Sequence, residues 1–199
     1  MSSKEDGIMI ILSSPSGAGK TTLTKLLSNS NSYLISVSHT TRKPRSNETH
    51  SKDYFFVNQE EFQFLIKKNE FLEYAKVFNN FYGTTKTPVI SNLEKGKNII
   101  FDIDWQGTQQ LSKFKNLELI KIYLIPPNKD ELKQRLTKRN QDSPQEVERR
   151  FKAYDKDIQH WRDYDYIIIN KNLENCYKQI ENIILINKKR LSIFSQTIL

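Results

Sequence analysis

The 199-residue chain has one cysteine, Cys176, so no disulfide can form within it. A lone thiol suits a reducing cytoplasmic compartment, and Cys176 reads as a small core residue. Long apolar runs are missing too. The first, Ile8–Leu12, is far too short to cross a bilayer and follows the acidic pair Glu5 and Asp6, so neither a transmembrane helix nor a signal peptide is expected. His39, His50 and His160 have no metal-ligand spacing, and there are no internal repeats or low-complexity segments. Glycine is scarce: of the six in the chain, Gly17 and Gly19 stand together in one turn.

What the chain does have is positive charge and enough apolar residues for a core. A hydrophobic fraction of 37% excludes global disorder, and the length suits one α/β domain with small inserted lobes. A net charge of +8 first suggests nucleic acid. However, the arginines gather mainly in two clusters, Arg42/Arg45 and Arg135/Arg139/Arg149/Arg150, while much of the remainder is scattered lysine of the kind found on a solvated face. Clustered guanidinium suits phosphate. The basic clusters lack the interleaved aromatics of a single-strand surface, so a nucleotide site accounts for them and no nucleic-acid partner is expected.

The rest of the chain is organised around Ser14–Thr22, read S-P-S-G-A-G-K-T-T. It lies between the apolar run Ile8–Leu12 and the periodic Leu23, Leu26 and Leu27, which gives strand, turn, helix. That context fits the phosphate-binding pattern G-x-x-x-x-G-K-[ST], with Ser14 in place of its first glycine, a substitution that a negative φ tolerates. The predicted cradle comprises Ser14, Pro15, Ser16, Gly17, Ala18, Gly19, Lys20, Thr21 and Thr22. Free N–H groups at a helix start attract anions, and the two glycines let the backbone curl around phosphate. Lys20 can reach the outer phosphates and the Thr21 hydroxyl can ligate Mg2+.

Further on, Tyr33–Val37 reads as a strand, and S-V-S-H-T-T-R-K-P-R follows at Ser36–Arg45. Arg42 and Arg45 either grip one anion between them or decorate a basic surface loop. Strands are predicted over Lys52–Val57 and Phe71–Val77, with a helix over Gln59–Asn69 between them. Asn80–Thr85 reads as a turn around Gly83, and Thr87–Lys95 as a helix closed by Gly96. Asn98–Asp104 is an apolar strand ending in Asp102 and Asp104, which serve either as strand-end caps or as groups holding Mg2+, its water or a substrate edge. Leu119–Ile125 and Tyr166–Ile169 read as further strands, Lys129–Arg139 and Pro144–Tyr154 as a basic helical pair, and Leu173–Leu191 as a closing amphipathic helix. In that pair Arg135 and Arg139 fall one turn apart on one face, and Arg149 and Arg150 come from the second helix.

Taken together, these stretches resemble the guanylate kinase family. Four motifs carry the resemblance, in order: S-P-S-G-A-G-K-T-T, S-V-S-H-T-T-R-K-P-R-x-x-E, E-Y-A-x-V-x-x-N-F-Y-G-T and F-D-I-D-W-Q-G, within a match from about Gly7 to Leu191. The resemblance implies an α/β P-loop NTPase fold with a mostly parallel sheet flanked by helices. The core would be residues 1–37, 96–127 and 155–199, with an inserted GMP-binding lobe at 38–95 and a helical lid at 128–154. It implies Mg2+-dependent transfer of the γ-phosphoryl group of ATP to GMP or dGMP, by a cytoplasmic monomer or homodimer with no membrane partner.

The resemblance also assigns roles. The GMP phosphate would meet Arg42, Arg45, Tyr54 and Tyr82, and the guanine would meet Ser38, Glu73, Thr84, Asp102 and Asp104. Lys20, Arg42, Arg135, Arg139 and Arg150 would serve the transferring phosphates. Guanine offers N1–H and its N2 amine as adjacent donors, and a Glu73 carboxylate can accept from both. Adenine would leave that carboxylate unpaired. After the last strand, Asn170-Lys171-Asn172 stands where the family usually has N-D-D. The alternative implied by the same likeness is a catalytically silent phosphopeptide-binding module, against which the retained Lys20, Thr21 and lid arginines weigh.

Overall fold

The computed structural model describes residues 7–29, 32–114, 118–138 and 143–197, with side chains as far as 189. Its core is a five-stranded sheet made of β1 (Met9–Ser13), β2 (Tyr33–Ile35), β7 (Asn98–Asp102), β8 (Leu119–Ile125) and β9 (Tyr166–Ile169), in the order β2-β7-β1-β8-β9. Every pairing within it is parallel. β1 is central and buried at every position, which explains its uninterrupted apolar sequence. Its residues divide with period two. Ile8, Ile10 and Leu12 pack with Leu23 and Leu27 of α1 (Lys20–Ser28) and with Cys176, Ile180 and Ile184 of α7 (Leu173–Thr197). Met9 and Ile11 pack on the other face with Phe101, Leu111 and Tyr123. The chain ends of these strands therefore open onto one crevice between the two helical layers.

A second, mixed sheet projects beside that crevice: β3 (His39–Thr40), β4 (Phe55–Phe56), β5 (Phe71–Val77) and β6 (Asn80–Thr85), ordered β4-β3-β6-β5. Its core is aromatic, with Phe62 of α2 (Gln59–Lys67) stacked on Phe71 and Phe81 at 4.5 and 5.4 Å. Two expectations are corrected in this region. The Asn80–Thr85 stretch is a strand rather than a turn, because the reversal is made by Phe78 and Asn79 at φ of 45° and 68°. Gly83 lies inside that strand, where a Cβ would stand 2.9 Å from the Phe71 ring and from Tyr74 Cβ. The Lys52–Val57 strand shrinks to Phe55–Phe56, because the Asp53 carboxylate accepts the Thr49 N–H at 2.9 Å and Ser51 takes φ 63°, which together hold a turn.

The basic helical pair is α5 (Lys129–Lys138) and α6 (Pro144–Asp157), and the second helix runs on into a 3-10 turn at Ile158–Asp163. α6 has no buried residue. It leans on α5 through a Lys129–Asp155 ion pair and through Lys133 over the Phe151 ring. α3 (Lys86–Leu93) stops two residues short of the expected Lys95, and Gly96, φ 73°, closes the turn that follows by donating its N–H to the Leu93 carbonyl at 2.8 Å. One short helix, α4 (Trp105–Leu111), was not foreseen; Asp104 caps it by accepting the N–H groups of Gln106 and Gly107 at 3.0 and 3.2 Å.

Candidate active site

The turn between β1 and α1 has the conformation its sequence demands. Gly17 and Gly19 sit at φ 90° and 97°, a region that disfavours side chains. A Cβ at Gly17 would fall 2.8 Å from Leu132 and Leu136. Ser14 is outside the left-handed region, so serine is accommodated where the pattern has glycine. The Asn170 side-chain amide donates to the Ala18 carbonyl at 2.7 Å and so ties the loop to the end of β9. Lys20 Nζ lies 2.6 Å from Asp102 Oδ1 and donates to the Ile103 carbonyl at 2.9 Å. The Thr21 hydroxyl points to the other Asp102 oxygen at 3.4 Å.

This loop forms one wall of a cavity of about 1030 Å³. Ser14–Gly17 and Gly19–Thr22 line it, while Ala18 is buried behind. Across from them stand Ser38, Arg42, Arg45, Tyr54, Glu73 and Tyr82, with Asp102 and Asp104 between. Arg135 and Arg150 complete the lining from α5 and α6. Thr84 is buried just beneath the surface, within 3.1 Å of the Ser38 hydroxyl. Arg139 lies outside the described residues.

Glu73 is the buried carboxyl of the cavity. Its side chain is 3% exposed, and Oε1 has no hydrogen-bond partner among the described residues. Burial is the main cause that pushes its pKa up to about 7; Thr84 pulls it down and Asp104 adds repulsion. A buried carboxyl with an open acceptor oxygen at a cavity wall is costly unless a donor arrives. Burial likewise holds the Tyr54 phenol above its usual range.

The guanylate kinase family model matches residues 7–187. The chain is 45% identical to a guanylate kinase of Wolbachia pipientis wMel over 96% of this chain and 94% of that relative. It is 44% identical to one from Novosphingobium aromaticivorans, over 92% and 84%. The crystal structure of guanylate kinase from Anaplasma phagocytophilum superposes with a TM-score of 0.76 at 35% identity, covering 92% of this chain and 87% of that one.

The chain belongs to the guanylate kinase family. For a guanylate kinase, the most informative groups that sequence reasoning missed are the acids that hold its arginines. Glu48 Oε1 pairs with Arg42 at 2.8 Å and Arg45 at 3.5 Å, and its Oε2 accepts the Arg45 N–H at 2.8 Å. Burial opposes ionisation of Glu48, but the hydrogen bonds from Arg42 and Arg45 win and hold its pKa down. Glu146 does the same for Arg149 and Arg150, at 2.6 and 2.9 Å. The i,i+3 and i,i+4 spacings around Glu146, and the R-x-x-E that ends the second motif, were the available signals. Asp157 also lines the cavity; burial first, and then Asp104, push it up to about 6. After β9, Asn172 caps α7 by accepting the Asn175 N–H at 3.0 Å, so asparagine does the capping there.

Proposed function

We propose that this chain carries out the reaction of its family, transfer of the γ-phosphoryl group of ATP to GMP to give ADP and GDP, with the residues above in the following roles. The observation that carries this reading is Glu73: an ionisable, buried carboxyl with one open acceptor oxygen, in a cavity that the glycine loop also lines. ATP is bound by Ser14–Thr22, and Lys20 leaves Asp102 to contact the outer phosphates. The GMP phosphate takes the charge of Arg42 and Arg45 and hydrogen bonds from Tyr54 and Tyr82, all four of which line the cavity. Guanine donates N1–H and its N2 amine to Glu73, and the Ser38 hydroxyl, paired with Thr84, faces O6. Asp104 caps α4 and sets the wall against which the base lies.

An oxygen of the GMP phosphate attacks the γ-phosphorus in line, and the bond to the β-bridging oxygen breaks. The attacking oxygen is already anionic, so no general base is required. Arg135 and Arg150, and in this reading Arg139 as well, neutralise the charge that spreads over the transferring group. The Thr21 hydroxyl and the Asp102 carboxylate converge at 3.4 Å beside the loop, an all-oxygen donor pair that fits Mg2+. Bound there with the nucleotide phosphates, Mg2+ would supply charge neutralisation at the β and γ oxygens.

In this reading residues 38–95 are the acceptor lobe, 128–154 the lid and the remainder the core. The proposed acceptors are GMP and, as the family resemblance implies, dGMP. No helix among the described residues is long and apolar enough to cross a membrane. The proposed setting is the cytoplasm, as a monomer or homodimer. No observation favours a catalytically silent phosphopeptide module. The test is a coupled ADP-release assay with ATP-Mg and GMP, AMP, CMP or UMP. Turnover with GMP alone supports the reading, and no turnover with any of the four, from folded protein that binds GMP, overturns it.

A further inference from the structure

The β5–β6 hairpin tip reaches across the cavity to the lid. Phe78, at that tip, lines the cavity and holds φ 45°, a backbone region that bulky residues seldom occupy. The guanidinium carbon of Arg149, on α6, lies 4.4 Å from the centre of the Phe78 ring, within cation–π range. The same guanidinium donates through an edge nitrogen to Glu146 at 2.6 Å, which leaves its planar face for the ring. Glu146 in turn holds Arg150 Nε at 2.9 Å. A continuous chain of contacts, Phe78–Arg149–Glu146–Arg150, therefore links the acceptor hairpin to a guanidinium that lines the cavity.

We propose that Phe78 and Arg149 are positioning residues: their contact docks α6 onto the acceptor hairpin, aims Arg150 into the cavity and closes the site to water. The proposal rests on the family reaction but not on any individual contact to substrate. α6 buries no residue of its own, so its position depends on such side-chain contacts. A cation–π contact at a half-exposed site shifts an equilibrium by about two- to five-fold, enough to bias closure without locking it. Water exclusion matters here because a γ-phosphoryl group exposed to water is lost to hydrolysis.

The experiment compares wild type, Phe78→Leu, Phe78→Tyr, Arg149→Gln and the Leu/Gln double variant. It measures kcat, both KM values and the ratio of ADP released to GDP formed. Arg149→Gln leaves the hairpin sequence intact, so the proposal stays testable if Phe78→Leu fails to fold. The expected result is kcat lowered about two- to five-fold in Phe78→Leu and in Arg149→Gln, with KM values changed less and an ADP:GDP ratio above one. Phe78→Tyr, which keeps the ring, retains wild-type values, and the double variant is no worse than the poorer single one. Wild-type kcat and ratio in a folded Arg149→Gln, or effects that multiply in the double variant, overturn the proposal. Failure of wild type itself to turn over GMP instead overturns the functional reading.

Discussion

Lys20 Nζ is held 2.6 Å from Asp102 Oδ1, while the neighbouring Thr21 hydroxyl faces the second oxygen of the same carboxylate at 3.4 Å. One acid thus positions both the proposed phosphate-binding lysine and the candidate metal-binding hydroxyl. Substituting Asp102→Asn should lower kcat by about 10²-fold, the scale of losing a preorganised charged group at a phosphoryl-transfer site. A Mg2+ titration of kcat/KM should show a raised metal requirement in the variant, with the GMP KM less affected.

The state of Glu73 sets a pH dependence. Its pKa in the folded protein is raised to about 7, and only the carboxylate accepts from both guanine donors. The GMP KM should therefore rise as pH falls below about 7, approaching tenfold per unit, and Glu73→Gln should flatten that slope. The same shift acts on stability in the opposite sense. For an acid raised in the folded state, the favourable contribution is complete below the ordinary glutamate range and is lost as pH rises through about 7. The empty Glu73→Gln protein should accordingly melt higher than wild type at pH 8, with the difference shrinking towards pH 4, as read by thermal unfolding at both pH values.

Gly107 lets α4 approach that carboxylate. A Cβ there would meet Glu73 Oε2 at 2.5 Å and its Cδ at 3.1 Å. Gly107→Ala should displace Glu73, raise the GMP KM at least about tenfold and cost about 1–3 kcal/mol of stability, while the ATP KM changes little. Initial rates with each substrate varied in turn, together with a denaturant melt, check both parts.

Glu48 fixes the two arginines assigned to the acceptor phosphate. Replacing it with Gln removes the charge that orients them, and the GMP KM should rise about tenfold. Equilibrium GMP binding, measured by calorimetry without ATP, should weaken by a similar factor.

How much of this was legible in sequence differs by element. The strands of the parallel sheet were: β1 buries its whole length and advertises it as a continuous apolar run, and the apolar-rich stretches Leu119–Ile125 and Tyr166–Ile169 coincide with β8 and β9 to the residue, although β9 buries only Ile168. The hairpin turn was misplaced because Phe78 and Asn79 take left-handed geometry without a glycine, while the nearby Gly83 serves close packing instead. The short helix α4 was hidden because its cap, Asp104, was weighed as a strand-end or site carboxylate. The strand, glycine turn and helix around Ser14–Thr22 were readable from local spacing alone. Glu48, Glu146 and Asp157 were not singled out: Glu146 pairs along its own helix at spacings the sequence does show, whereas the Glu48 pairs depend on loop geometry and the place of Asp157 at the cavity depends on where α6 packs.

The central claim is that Glu73 reads the guanine edge, and the most direct measurement compares GMP with IMP, which keeps N1–H and lacks the N2 amine. The account predicts that wild type prefers GMP by about 10²-fold in kcat/KM. In Glu73→Gln the preference should collapse towards unity, because the carboxamide accepts one donor and opposes the other. An unchanged GMP:IMP ratio in a folded, active Glu73→Gln enzyme would contradict the account.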